Sequence, residues 1–227
     1  RWIAFNNPSV PWTELERRLT GRGGGAPPPE WANGGDSPAW SRKRPGYTAP
    51  ADLTWRSGGV PYAELHCHSN FSFLDGASHP EELVEEAVRL GLEALALTDH
   101  DGFYGVVRFA EAARAHGLRT VFGAEVTLDG TGHHEPGLVD PHGAHAVVLA
   151  RDPTGYARLA RALSEAQLAG EKGAPRTSLD ALAEHGRAGR SGAADHWVVL
   201  TGCRKATVPA ALERDGPRAA RRALDEL

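Results

Sequence analysis

A few side chains in this sequence carry chemistry that ordinary packing does not require. In ELHCHSNFSFLDGAS, residues 64–78, His66 and His68 flank Cys67, and Asp75 follows inside a Gly/Ser-rich turn. In an extended strand, alternate side chains share a face, about 7 Å apart. His66 and His68 therefore point one way and Cys67 the other. Imidazole suits zinc, iron and similar ions, and carboxylates widen the choice toward manganese. An HxH pair alone arises by chance. Here it is joined by LTDHD, which sets Asp99 and His100 at the end of an apolar run, and by FGAEV, which does the same for Glu125. A charge left unpaired at such a place is costly. Several ligand-type side chains at separate strand ends point instead to a polynuclear site, with metals about 3.5–4 Å apart. Asp99 reads as a carboxylate that orients a histidine through its other ring nitrogen, with direct ligation as the alternative. His145 is either a further ligand or a surface residue at a strand start. Cys203 is either a thiolate ligand of zinc or an inert buried thiol.

The other histidines have simpler readings. His133, His134 and His142 fall in an irregular stretch and read as solvated. His79 falls in a first helical turn, and His116 lies near a helix C-terminus, where an imidazolium complements the dipole. His185 and His196 have no supporting context. Cys67 reads as packing.

Positioning these residues requires strands that end near one another. YAELHCHS reads as a strand. SHPEELVEEAVRLGL reads as a helix, with Ser78 and Glu81 in capping-box spacing, Pro80 in the first turn and Gly91 at the end. EALALTDH is a buried strand, YGVVRFAEAARAHG a helix stopped by Gly117, and RTVFGAEVTL a third strand. Residues 129–143 form a Gly/Pro/His-rich loop. HAVVLAR is a fourth strand, and GYARLARALSEAQLAG the next helix. After a polar, Gly-rich stretch, HWVVLTG is a fifth strand and VPAALERDGPRAARRALDEL is helical. Alternating strands and helices predict βαβ units, a parallel sheet and an α/β class. The polar candidates then gather at strand C-terminal ends, where βα-barrel active sites form. His145, at the start of its strand, does not fit that pattern.

Residues 1–60 differ from the rest. GRGGGAPPPE excludes regular structure, PWTELERRLT predicts one short helix, and Trp12, Trp31, Trp40 and Trp55 are placed to anchor the segment on a body or a partner. This arm carries eight Arg/Lys against five Asp/Glu, whereas the whole 227-residue chain has a net charge of -4. A strong nonspecific hold on nucleic acid is therefore not expected from composition. Two cysteines make no disulfide framework, and a reducing, cytoplasmic setting is expected. No apolar run approaches the roughly 18 residues of a membrane span. A start at Arg1 and the lack of methionine are read as signs of a fragment, a trimmed chain or a mis-called start.

ELHCHSNFSFLDGASHPEELVEEAVRLGLEALALTDHDGFYGVVRFAEAARAHGLRTVFGAEV resembles the polymerase-and-histidinol-phosphatase (PHP) domain. The FSFLDGAS turn and HAVVLARDPTGYARLARALSEAQL are similar to the version found at the N-terminus of bacterial C-family polymerases. The leader resembles that of their error-prone, damage-tolerant branch in actinobacteria. The resemblance implies a distorted (β/α)7 barrel, C-terminally incomplete, over residues 61–227, behind an irregular arm over residues 1–60. It implies metal ligands at His66, His68, Asp75, His100, Glu125, His145 and Cys203, and up to three divalent ions of zinc, manganese or iron. The parent's reaction would be DNA-directed DNA synthesis in repair. Its partners would be DNA and, through the arm, a sliding clamp or accessory repair factors, with no membrane. The metal site would be structural, or a residual phosphoesterase or 3′–5′ exonuclease. A free-standing phosphoesterase acting on histidinol phosphate or nucleotides, and a non-catalytic docking domain, are the alternatives. Because histidines bind metal only when neutral, occupancy is expected to fall below about pH 6.

Overall fold

The computed structural model describes residues 47–55, 60–73, 75–128, 143–171, 173–186 and 196–227. Its strands are β1 (Ala63–Glu64), β2 (Ala94–Leu97), β3 (Arg119–Leu128), β4 (Ala144–Ala150) and β5 (Trp197–Leu200). Its helices are α1 (Pro80–Leu90), α2 (Val106–His116), α3 (Pro153–Ala169), α4 (Leu179–Gly186), α5 (Thr207–Asp215) and α6 (Pro217–Asp225). The expected PWTELERRLT helix, Trp12, Trp31 and Trp40, and the loop histidines His133, His134 and His142 lie outside the described residues. Trp55 is described, and is exposed.

The strands form one curled sheet in the order β1-β2-β3-β4-β5. β1, β2 and β3 run parallel, as βαβ units require. The expectation of a wholly parallel sheet fails beyond that point. β3 pairs antiparallel with β4, and β4 antiparallel with β5. A parallel neighbour needs a crossover, usually helical, whereas an antiparallel one does not. The 129–143 segment carries no helical pattern, so β4 returns alongside β3. β3 changes partner midway: Leu97 is opposite Phe122, and Gly123 is already opposite Leu149.

Strand alternation then sorts side chains onto two faces. Leu95 and Leu97 pack with Val84, Val88 and Phe109 of α1 and α2. Ala124, Val126, Leu128, Ala146 and Val148 pack with Leu159, Leu163 and Leu182 of α3 and α4. The opposite face carries Ala96, Val147 and Leu149, with Val121 and Leu200 against them. Glu125 and His145 share the parity of that second face and lie at one end of it.

Helix ends follow local chemistry, with three departures from the expected boundaries. α1 is capped one residue later than the Ser78–Glu81 spacing suggests. The His79 N–H donates to Glu82 Oε2 at 2.7 Å, and Pro80 supplies the first helical residue, where its missing N–H costs nothing. The final helical run splits into α5 and α6 at Gly216, whose φ of 81° breaks the turn. α4 occupies part of the stretch expected to be irregular, because Leu182 is buried in the α3 cluster beside Trp197. The Gly91 stop holds, with φ 73° and its N–H directed at Ala87 and Val88 carbonyls.

His116, in the last turn of α2, is tied to a side chain rather than left to the dipole alone. Tyr47 Oη donates to Glu85 Oε1 at 2.9 Å and lies 2.7 Å from His116 Nε2, so one phenol joins α1 to α2. Burial, and then the Glu85 hydrogen bond, hold the phenol pKa above its ordinary value. Tyr47→Phe is expected to cost about 1–3 kcal/mol, read as a lower urea midpoint at unchanged m-value. An unmoved midpoint would show the tie to be neutral.

Candidate metal centre

β1 is only two residues long, so His66 and His68 lie just beyond its ladder. They are nevertheless aligned by β2. Thr98 N–H donates to the Cys67 carbonyl at 2.9 Å, and the Cys67 N–H donates to Thr98 Oγ1 at 3.0 Å. This fixes an extended backbone in which Cys67 faces the helices and the two imidazoles face the site. Cys67 packs on the α1–α2 cluster, and burial pushes its thiol up to about 11.

Glu125 is the hub. It is 2 % exposed. His66 Nε2 lies 2.5 Å and His68 Nε2 2.8 Å from its Oε2, while His145 Nδ1–H donates to its Oε1 at 2.8 Å. His68 Nδ1 donates in turn to Asp75 Oδ2, and His100 Nε2 stands 3.6 Å from that same oxygen. The rings form a row, with centroids 5.0 Å apart for His66–His68, 4.6 Å for His68–His100 and 5.2 Å for His100–His145.

Among the described residues, three candidate ligand groups result: His66, His68 and Glu125; His68, Asp75 and His100; and His100, Glu125 and His145. Within each, the donor atoms lie within 4.8 Å of one another. Each group shares a residue with the next, which is how polynuclear sites keep their ions close. Imidazole nitrogen and carboxylate oxygen in this mixture fit zinc, manganese or iron.

The position of His145 follows from the mixed sheet. Because β4 runs against β3, its first residues lie at the same end as the last residues of β3, and Thr127 is opposite His145. β5 reverses again, so Cys203, just after it, also reaches this end. Cys203 is exposed, with its Sγ 4.0 Å from Glu125 Oε1, and belongs to none of the three groups. It borders the cluster.

Asp99 does not orient a histidine. It accepts from Ser69 N–H at 2.7 Å, Ser69 Oγ at 2.8 Å and Ser72 Oγ at 2.8 Å. Ser72 Oγ also accepts from the His100 N–H at 3.0 Å. A buried carboxylate thus fastens the turn that carries Asp75 to the end of β2, which carries His100. Loop serines carry no distinguishing sequence signal, so this role was not legible. Asp101 was missed as well. At φ 50° it accepts from the Thr127 N–H and Oγ1–H, both at 2.8 Å, locking the turn after His100 to β3. Burial raises its pKa, and those two bonds oppose the rise. His185 and His196 turn out to have partners, Glu165 and Asp152 respectively, away from the centre.

Electrostatics separate the three central groups. Burial disfavours charge on His68, yet the close carboxylates of Glu125 and Asp75 overcome it and raise the imidazole to about 9. Burial lowers the pKa of His100. Burial would raise Glu125, but bonds from His145, His66 and His68 hold it far below the carboxylate range. Asp99→Asn replaces one acceptor oxygen with a donor facing Ser donors. It is expected to cost about 1–3 kcal/mol and to weaken metal binding about 10–100-fold, as loss of a supporting partner does. Titrating the variant with zinc under a competing chelator checks this; wild-type affinity would remove Asp99 from the design.

The family model of the PHP domain matches residues 64–227. The chain belongs to the PHP domain family. Over 226 residues, 99 % of this chain, the PHP domain and its leader are 54 % identical to 20 % of an error-prone DNA polymerase from Mycobacterium tuberculosis. An error-prone DNA polymerase from Nocardia farcinica is 49 % identical over 90 % of the chain and 20 % of its own length. The chain thus spans about a fifth of the length of the curated relatives it matches. Among solved structures, an amidohydrolase from Chromobacterium violaceum is similar at 34 % identity, over 46 % of this chain and 32 % of its own, with a TM-score of 0.35.

Proposed function

We propose that this chain is the amino-terminal PHP portion of an error-prone, DNA-directed DNA polymerase that acts in repair synthesis and damage tolerance in the cytoplasm. The similarity of the leader as well as the PHP domain to polymerases of that name supports the reading. DNA would be its partner through the parent protein, with a sliding clamp or accessory factors on the arm. No helix among the described residues is long and apolar enough to cross a membrane.

The single observation that carries the metal role is Glu125, a buried carboxylate contacted by three histidines from two separate segments, His66 and His68 on one and His145 on the other. His66, His68, Asp75, His100, Glu125 and His145 would hold up to three divalent ions of zinc, manganese or iron, with Cys203 at the border. When bound, such ions supply Lewis acidity and make a coordinated water more acidic. The surrounding residues fasten the His66–His68 segment, β2, β3 and β4 to one another, so the first role is structural. The second is residual hydrolysis of a 3′-terminal phosphodiester: water oxygen bonds to phosphorus, and the 3′ oxygen of the preceding nucleotide leaves with a proton. Asp99, through Ser72, keeps Asp75 in register for either role.

Metal analysis of the purified chain, paired with an exonuclease assay on primer ends, tests this. Two or more ions per chain are expected, falling in Asp75→Ala and His100→Ala. A metal-free wild-type chain in zinc- and manganese-supplemented buffer would refute it.

A further inference from the structure

The centre has a rim that the ligand roles do not use. Phe73 is 73 % exposed and stands two residues before Asp75; Tyr104 is 62 % exposed and stands four residues after His100. A lone exposed aromatic is ordinary, so what counts is that these two stand on adjoining turns. The two turns that carry them touch. A Cβ at Gly105 would lie 3.0 Å from the Phe71 ring and 3.2 Å from Ser69 Oγ, so the Tyr104–Gly105 turn packs directly on the segment leading to Phe73. The Tyr104 ring folds back over Gly102, where there is no room for a side chain, and this leaves its other face to solvent.

In the segment after β5, Cys203 contacts Glu125, and the Lys205 carbonyl accepts the His145 N–H at 3.3 Å. Arg204 lies between those two anchored residues and is exposed. Arg108, by contrast, is committed: its Nε donates to Glu81 at 2.7 Å and its guanidinium sits 5.9 Å over Phe71. The turns that carry Asp75 and His100 thus also carry two exposed aromatic residues, and the segment anchored through Cys203 and Lys205 carries an exposed arginine.

We infer that Phe73, Tyr104 and Arg204 form a recognition rim for the end of a single-stranded nucleic acid, with terminal bases stacked on the rings and a phosphate held by the guanidinium. The inference rests on the reading of the centre as one that faces a phosphodiester, and it names what that centre would recognise. Every base offers a π-face, so stacking tolerates any sequence, and Arg adds a bidentate phosphate contact.

Fluorescence anisotropy with a 5′-fluorescein dT12 whose last linkage is a phosphorothioate tests the rim, beside an abasic strand of equal length and charge. The chain is expected to bind dT12 at least about tenfold more tightly than the abasic strand. The double variant Phe73→Ala/Tyr104→Ala should erase that difference, Tyr104→Phe should keep it, and Arg204→Gln should weaken both strands. Wild-type binding that ignores the bases, or an undiminished preference in the double variant, overturns the inference. Melting curves matching wild type exclude misfolding of the variants. Hydrolysis of thymidine 5′-p-nitrophenyl phosphate reports separately on the phosphodiester reading. Its absence with base preference intact would sink that chemistry and leave the rim standing.

Discussion

Glu125→Ala is expected to lower bound metal to at most one ion per chain, because among the described residues Glu125 belongs to two of the three candidate ligand groups and only His68, Asp75 and His100 form a group without it. The metal-free fold should suffer too. Glu125 accepts from His145 and contacts His66 and His68. Its removal leaves the buried His145 and the half-buried His66 and His68 around a void. Breaking a buried charged network by deleting one partner costs about 3–5 kcal/mol. Glu125→Gln separates the two effects, since it keeps the volume and loses the charge. Cys203→Ser is the counterpart, because Cys203 stands outside the groups, and it should retain its metal. Elemental analysis and urea unfolding of the chelated chain read both quantities. Full metal content in Glu125→Ala would show that Glu125 is not the hub.

The second large effect is an opposed pair of pH trends. His68 is raised from an ordinary 6.5 to about 9 in the folded chain. A group with a raised folded pKa contributes stability that is fully present below its unfolded pKa and is lost as pH climbs through the folded one. The chelated chain should therefore be most stable, with respect to this group, below about pH 6.5 and lose on the order of 3 kcal/mol by pH 9. Metal binding must displace that proton, so affinity should rise about tenfold per pH unit across the same window. The metal-loaded chain should gain stability while the chelated chain loses it. His100 behaves differently, since burial lowers its pKa and leaves it neutral sooner. The window thus lies higher than a loss of metal below about pH 6, which unperturbed histidines would give. Melting curves from pH 6 to 9, with and without chelator, and in His68→Gln, would show it. Parallel slopes in the two series would refute it.

The clustering of the residues proposed to hold metal was legible because metal chemistry restricts side-chain types sharply. His66, His68, Asp75, His100, Glu125 and His145 all stand out as polar residues at the ends of apolar runs, and all enter the three groups. The sheet was less legible. Apolar alternation marks a strand and says nothing of its direction, so β4 was read as parallel, and His145 then looked misplaced. The missing helical pattern in 129–143 was the available clue. Asp99 shows a different limit. Its buried charge was recognised, but its partners are two serines in a turn, which any solvated loop contains.

The change of partner within β3 makes that strand intolerant of length variation. Glu125 stands two residues past Gly123, where pairing with β4 begins, and faces away from the helices only by parity. One residue inserted between Phe122 and Glu125 would turn the carboxylate outward among Leu159 and Leu163 and swing Val126 to the ions' side. The alternative would be to slip the whole β4–β5 hairpin by a residue and carry His145 out of reach. Variation in this domain should therefore accumulate as substitutions in β3 and as length changes in the loops around it.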